Sequence, residues 1–256
     1  MSKKALRLHW SKSKPNFGDA LSPIICSRLY GGPITYAKIN RCDLVAQGSL
    51  LQRKKESLLS RKIVVWGTGL IENTKPALSK HTYIAVRGYE TKKCILKTPS
   101  NIVLGDPGLL AHLVVEKRQV SKTHRIGLIC HYKDKGNSTV ARLCERYPDV
   151  IEIDIFAPVQ HIFNAILASD VIFSSAMHGL IAADALGVPN AWIQLSNQVK
   201  GGDFKFRDYY SVFGIDAIPL ILNDQLVSKQ FIDVIDRYQR KDIATIQEEL
   251  IKCFPF

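Results

Sequence analysis

A histidine at position 178 stands in Ser174-Ser175-Ala176-Met177-His178-Gly179, directly after the apolar run Val171–Phe173 and ahead of a helical pattern. Such a strand-to-helix turn gathers free backbone N–H groups at a helix start, where they and the helix dipole favour an anion. Ser174, Ser175 and Gly179 belong to that turn, and His178 is able to give or take a proton near neutral pH. A capping serine beside an ordinary histidine explains the segment equally well when it is taken alone. His131-Tyr132 follows Ile126–Cys130 in the same manner, as part of a site or as a plain loop. Phe204-Lys205-Phe206-Arg207-Asp208-Tyr209-Tyr210 sets two cations among four aromatics. Lys205 and Arg207 are two residues apart, so they diverge on a helix and converge only in an extended or turned segment.

The first half of the chain repeats the pattern. Pro15-Asn16-Phe17-Gly18-Asp19 follows Leu6–Trp10; Gly18 permits a close approach, and Asp19 sits where a cap or first-turn acid is favoured. Gly67, Thr68 and Gly69 follow Ile63–Trp66 and could turn N–H groups toward an anion. They lack the third glycine of a dinucleotide fingerprint. Arg87, between Val86 and Gly88, suits a fork for carboxylate or phosphate. Asp106 follows Ile102–Leu104 and precedes Pro107, as a turn former or as an acid at a site.

These residues need strands to hold them. Besides the runs already named, Leu44–Gln47, Tyr83–Val86, Val150–Ile153 and Asn190–Ile193 read as strands. Helical patterns lie at Asp19–Leu29, Ser138–Tyr147, Pro158–Ala168 and His178–Leu186. The alternation indicates α/β architecture with parallel sheets. A polar stretch, Val115–Thr123, suggests two Rossmann-like domains, 1–118 and 119–256, with the active site in the cleft between them. The tail Val227–Cys253 reads as two helices that pack back on the first domain.

The net charge of +12 is concentrated in residues 1–62, which hold 13 Lys/Arg against Asp19, Asp43 and Glu56. An anionic partner is implied. The clusters Arg53-Lys54-Lys55 and Arg61-Lys62 lack interleaved aromatics, which argues against nucleic acid. Neither a membrane-spanning run nor the apolar core of a signal peptide is legible, so a cytoplasmic location is expected. The six cysteines form no C-x-x-C pair and no zinc spacing; buried reduced thiols are expected, and no metal.

Taken in order, Asn16-Phe17-Gly18-Asp19, Trp66-Gly67-Thr68-Gly69, Val86-Arg87, Gly105-Asp106-Pro107, His131-Tyr132, Met177-His178-Gly179 and Lys205-Phe206-Arg207-Asp208-Tyr209 resemble the polysaccharide pyruvyltransferases, in particular the exopolysaccharide ketal-pyruvyltransferase branch. The resemblance spans roughly residues 6–215. It implies a GT-B-like arrangement and transfer of a pyruvyl group from phosphoenolpyruvate (PEP) to a sugar of a lipid-linked exopolysaccharide or capsule repeat unit, as a cyclic ketal. PEP is then a donor substrate, and no cofactor is needed. The family's R-x-H-type motif falls on Ala176-Met177-His178, so His178 is the expected catalytic residue and one arginine is replaced by Ala176. The reading that follows gives Arg87, Lys205 and Arg207 to the PEP anions, helped by Ser174, Ser175 and Gly179. Asp106 and Asp19 then serve the sugar hydroxyls. Asn16, Gly18, Gly67, Thr68, Gly69, His131 and Tyr132 complete the binding surface, with the basic first domain on the acceptor side and the second on the PEP side. A lipid-linked acceptor also implies peripheral contact with the anionic inner face of the plasma membrane.

Two other readings compete. A GT-B-like glycosyltransferase using a nucleotide sugar fits the same fold and would use Glu152 or Asp154 on the ribose. A non-catalytic anion- or RNA-binding protein would use the basic half alone. The acceptor sugar, the hydroxyl pair and the oligomeric state are not encoded legibly.

Overall fold

The computed structural model describes residues 3–12, 16–53, 61–116 and 119–256. Pro15, Lys54, Lys55, Lys117 and Arg118, together with the side chain of Arg53, lie outside them.

The strands, in chain order, are β1 (Leu6–His9), β2 (Ile34–Tyr36), β3 (Leu44–Val45), β4 (Val64–Trp66), β5 (Ala77–Leu78), β6 (Thr82–Val86), β7 (Ile95–Leu96), β8 (Val103–Leu104), β9 (His124–Ile129), β10 (Val150–Glu152), β11 (Ser169–Ser174) and β12 (Asn190–Trp192). The helices are α1 (Phe17–Tyr30), α2 (Tyr89–Lys93), α3 (Ser138–Arg146), α4 (Val159–Leu167), α5 (Met177–Ala185), α6 (Phe204–Tyr210), α7 (Phe231–Asp236) and α8 (Ile243–Lys252). A six-stranded sheet runs β2-β1-β3-β4-β6-β8 and a four-stranded sheet β10-β9-β11-β12, with β5 and β7 as a separate pair. Every pairing is parallel.

Parallel strands covered on both faces read as continuous apolar runs, as in β11, where Val171, Ile172 and Phe173 are all fully buried. Side-chain caps begin two of the helices. Asn16 accepts from the Asp19 N–H ahead of α1, and Asn137 accepts from Thr139 and Val140 ahead of α3. At its other end α1 stops on Gly31, which is left-handed and returns its N–H to Ser27.

One continuous core joins the two sheets, running from Leu6 and Leu8 through Phe17, Ile129 and Ile181 to Leu250. The chain's last helix crosses back to the six-stranded sheet. There Trp66 Nε1 donates to the Leu250 carbonyl at 3.1 Å, and Gln247 donates to the Leu109 carbonyl. Ile246 lies so close over Gly105 that a Cβ there would come within 2.7 Å of it. Four cysteines, Cys26, Cys42, Cys94 and Cys130, are buried, and none of the six forms a disulfide among the described residues. No helix among the described residues is long and apolar enough to cross a membrane.

The sequence reading passed over β2, β5, β7, α2 and α6. The first four span two to five residues, too few to display a period. For α6 the alternation of aromatic and cation leaves helix, extended and turned segments open. A helix forms because tertiary contacts enclose it: Phe204, Phe206, Tyr209 and Tyr210 are all buried, and Trp192 stacks on Phe206 at 4.2 Å.

Candidate active site

In an open parallel sheet, the loops on either side of the point where strand order reverses splay apart and leave a crevice at the carboxyl ends. The six-stranded sheet reverses between β1 and β3, and the four-stranded sheet between β9 and β11. The loops that follow these four strands line a single cleft of about 220 Å³. Ser11 and Asn16 come from the loop after β1 and Gly48, Ser49 and Leu50 from the loop after β3. The loop after β9 supplies His131 and Tyr132, and the turn after β11 supplies Ala176, Met177, His178 and Gly179.

His178 stands in the first turn of α5. Its ring lies directly against Gly18 of α1: a Cβ at that glycine would sit 2.0 Å from His178 Nδ1. The glycine of the Asn16-Phe17-Gly18-Asp19 motif therefore makes room for the histidine of the other motif. His178 Nε2 is enclosed and has no hydrogen-bond partner among the described residues. Burial, with Lys205, Arg87 and His131 nearby, pushes the imidazole down to about 3, so it is neutral at physiological pH. The helix start adds to this, since a cation is disfavoured there.

Lys205 reaches the cleft from α6 with its side chain buried and its ammonium 5.2 Å from the Phe206 ring. No carboxylate among the described residues forms an ion pair with it. Burial, then the charge of Arg87, lowers it to about 8. His131 is lowered to about 4 by burial and by Lys205, and its ring lies 4.3 Å from that of Tyr132. Behind it, buried Asp134 accepts from the Ser175 and Ser196 hydroxyls, while Ser175 accepts from the His131 N–H. Asp19 lines the cleft beside Asn16, whose amide donates to it at 3.0 Å.

Of the residues singled out in the sequence, His178, Asp19, Lys205, Gly179, His131, Tyr132, Asn16 and Gly18 meet on this cleft. Others are placed differently. Arg87 is fully buried behind the wall: Nε pairs with Asp208 at 2.8 Å, Nη1 donates to Ser49 and Nη2 to the Leu70 carbonyl. It is a clamp on α6, not an open fork, and Thr91 completes it by donating twice to Asp208. Arg207 points away on the exposed side of α6, 3.4 Å from Asp203, because a helix turns residues two apart to different faces. Asp106 is fully buried and caps the turn Pro107–Leu113 by accepting from Gly108. Burial raises its carboxyl to about 7. Ser174 is buried against Ile129 and Ala176, and Ser175 is the stitch just described. Gly67, Thr68 and Gly69 back the cleft without lining it. Thr68 donates to the Gly48 carbonyl at 2.7 Å, and Gly69 leaves space for Arg87.

The loop Gly48-Ser49-Leu50, Ile71 and Lys200 were not singled out, yet all line the cleft. Gly48 has a left-handed φ of +91°, the one local signal of a tight loop there. Lys200 sits in a loop that touches the other half of the molecule: a Cβ at Gly201 would meet the Ile71 carbonyl at 2.3 Å. The arrangement supplies two lysines, the N–H groups of a helix start and two neutral imidazoles. Such a set suits a small polyanion together with a proton to be moved.

Comparison with known proteins places the chain in a family. The polysaccharide pyruvyl transferase family matches residues 4–197. A protein of Acanthamoeba polyphaga mimivirus, uncharacterized protein L143, is 28% identical over 84% of this chain and 76% of its own length. Succinoglycan biosynthesis protein ExoV of Rhizobium meliloti is 25% identical over 82% of this chain, which spans 66% of that protein. The Staphylococcus aureus MnaA–UDP structure superposes with a TM-score of 0.53 at 11% identity, over 96% of this chain and 91% of that one. That likeness is one of fold, the GT-B-like pairing of two Rossmann-like sheets. Since residues 4–197 make up well over half of the sequence, the chain belongs to the polysaccharide pyruvyl transferase family.

Proposed function

We propose that the protein transfers a pyruvyl group from PEP to two hydroxyls of one sugar in a polysaccharide repeat unit, closing a pyruvate ketal and releasing phosphate. Membership of the family supports pyruvyl transfer in polysaccharide biosynthesis. The observation that carries the finer reading is the cleft at two facing switch points, where buried Lys205 and neutral His178 meet with no carboxylate among the described residues paired to the lysine.

PEP carries a carboxylate and a phosphate on one small enol. Lys205 and Lys200 offer a cation each, and the first turn of α5 offers N–H donors. A sugar hydroxyl bonds to C2 while C3 gains a proton. A second hydroxyl then bonds to C2 as the C2–O bond to phosphate breaks. The two hydroxyl protons end on C3 and on the departing phosphate, so no further reactant is needed. His178 Nε2, neutral and without a partner among the described residues, takes the proton of the attacking hydroxyl. Bound PEP raises the proton affinity of both His178 and Lys205 by supplying opposite charge. Asp19 at the cleft wall orients the sugar.

Incubation with PEP and a panel of galactosides, glucosides and mannosides, read by mass spectrometry, tests the reading. A product heavier by one pyruvate ketal, with phosphate released, is expected. Thermal stabilisation by UDP-sugars but not by PEP would overturn it in favour of glycosyl transfer.

A further inference from the structure

The small sheet of β5 and β7 plays no part in the cleft. Leu78 pairs with Leu96 in register across it, and both side chains face solvent, 64% and 45% exposed. Five lysines surround the pair in sequence. Lys75 and Lys80 flank β5, Lys92 and Lys93 end α2 just before β7, and Lys97 follows Leu96 directly. The acids of this stretch are Glu72 and Glu90, and Glu90 already pairs with Lys93 at 2.7 Å. Lysines beside a strand edge discourage edge-to-edge pairing. That accounts for the cations and leaves unexplained two leucines held side by side in water.

The sheet is also tied to the site through the chain. Ile71 lines the cleft, and Leu78 is seven residues further on. Seven residues span at most about 25 Å, so the paired leucines stand within that distance of the cleft wall.

We infer that this patch docks the protein on an anionic phospholipid bilayer, with Leu78 and Leu96 entering the interface and the surrounding lysines facing the headgroups. An exposed apolar pair flanked along the chain by lysines, Lys75 ahead of β5 and Lys97 directly after Leu96, is the pattern that a monotopic surface contact requires. The purpose of the docking rests on the pyruvyl-transfer reading, in which the acceptor is lipid-linked. The docking itself is independent of it.

The test is co-sedimentation of the full chain with phosphatidylglycerol–phosphatidylcholine vesicles and with phosphatidylcholine vesicles, at low and high salt. Preference for the anionic vesicles, lost at high salt, is expected. Leu78→Ser with Leu96→Ser should weaken binding about fivefold, from the insertion preference of leucine. Lys75→Gln with Lys97→Gln should weaken it about 25-fold, at roughly fivefold for each charge. Both variants should keep the wild-type melting temperature and its shift with PEP. Equal partitioning onto neutral and anionic vesicles would overturn the inference, as would leucine variants that bind unchanged. A dimer that the leucine variants dissolve, without effect on vesicles, would assign the patch to a second copy of the chain instead. Absence of any PEP shift in the wild type would count against pyruvyl transfer and leave the vesicle result standing.

Discussion

Gly18→Ala separates the role of His178 from the stability of the fold. The added methyl would lie 2.0 Å from His178 Nδ1 and 2.5 Å from Cγ. Ordinary contact begins near 3.4 Å, so ring and helix must part by about 1.4 Å. Two energetic effects oppose each other. Replacing glycine by alanine in α1 gains roughly 0.5–1 kcal/mol of helix propensity, whereas overpacking costs about 1–3 kcal/mol. Net destabilisation therefore stays within about 2.5 kcal/mol, and the protein remains folded. Activity has no such compensation. A displacement of about 1 Å at a catalytic group costs on the order of 100-fold in rate. Phosphate release from PEP in the presence of acceptor should thus fall about 100-fold while the melting temperature moves by a few degrees. Near-wild-type turnover in a folded Gly18→Ala protein would refute the placement of His178 as the proton-transfer group.

Further outcomes follow from the same geometry. Arg87→Met leaves Asp208 charged and buried, which should cost about 3–5 kcal/mol in urea denaturation; Arg87→Met with Asp208→Leu should recover much of that loss. Lys200→Ala should raise KM for PEP about tenfold and leave kcat nearly unchanged, whereas Lys200→Arg should preserve both. Burial and the charge of Arg87 lower Lys205 to about 8, so PEP affinity measured by calorimetry should decline as pH rises above that value; Lys205→Arg should remove the decline. His178 and His131 are held below the ordinary value of 6.5, near 3 and 4. The unfolded chain then binds more protons in that window, and stability should fall as pH drops from 6.5 toward 4, with a smaller loss in His178→Asn.

Nine apolar runs could be read as strands because buried parallel strands must be apolar on both faces, and each of the nine forms one. Half of the site was legible for a related reason. A polar residue directly after such a run has to emerge at a carboxyl end, as Asn16, His131 and His178 do. Local pattern does not reveal which way a side chain turns after that. Arg87, directly after an apolar run, and Lys205, in an aromatic-rich segment, are both cations that local pattern allows to face a ligand. Only packing decides that Arg87 meets Asp208, 121 residues away, and is consumed, whereas Lys205 stays open to the cleft. The same packing makes 204–210 a helix and sends Arg207 outward.

The sequence by itself determined the alternation of strand and helix, the order of the motifs and the neutral or cationic residue types, because these depend on local hydrophobic period and side-chain chemistry. The tertiary structure alone decided that two switch points face each other and that Gly18 lies beneath His178. It also decided which cations are paired and which remain for a ligand, because contacts between residues 18 and 178, or 87 and 208, follow from how the two sheets pack and not from any local spacing.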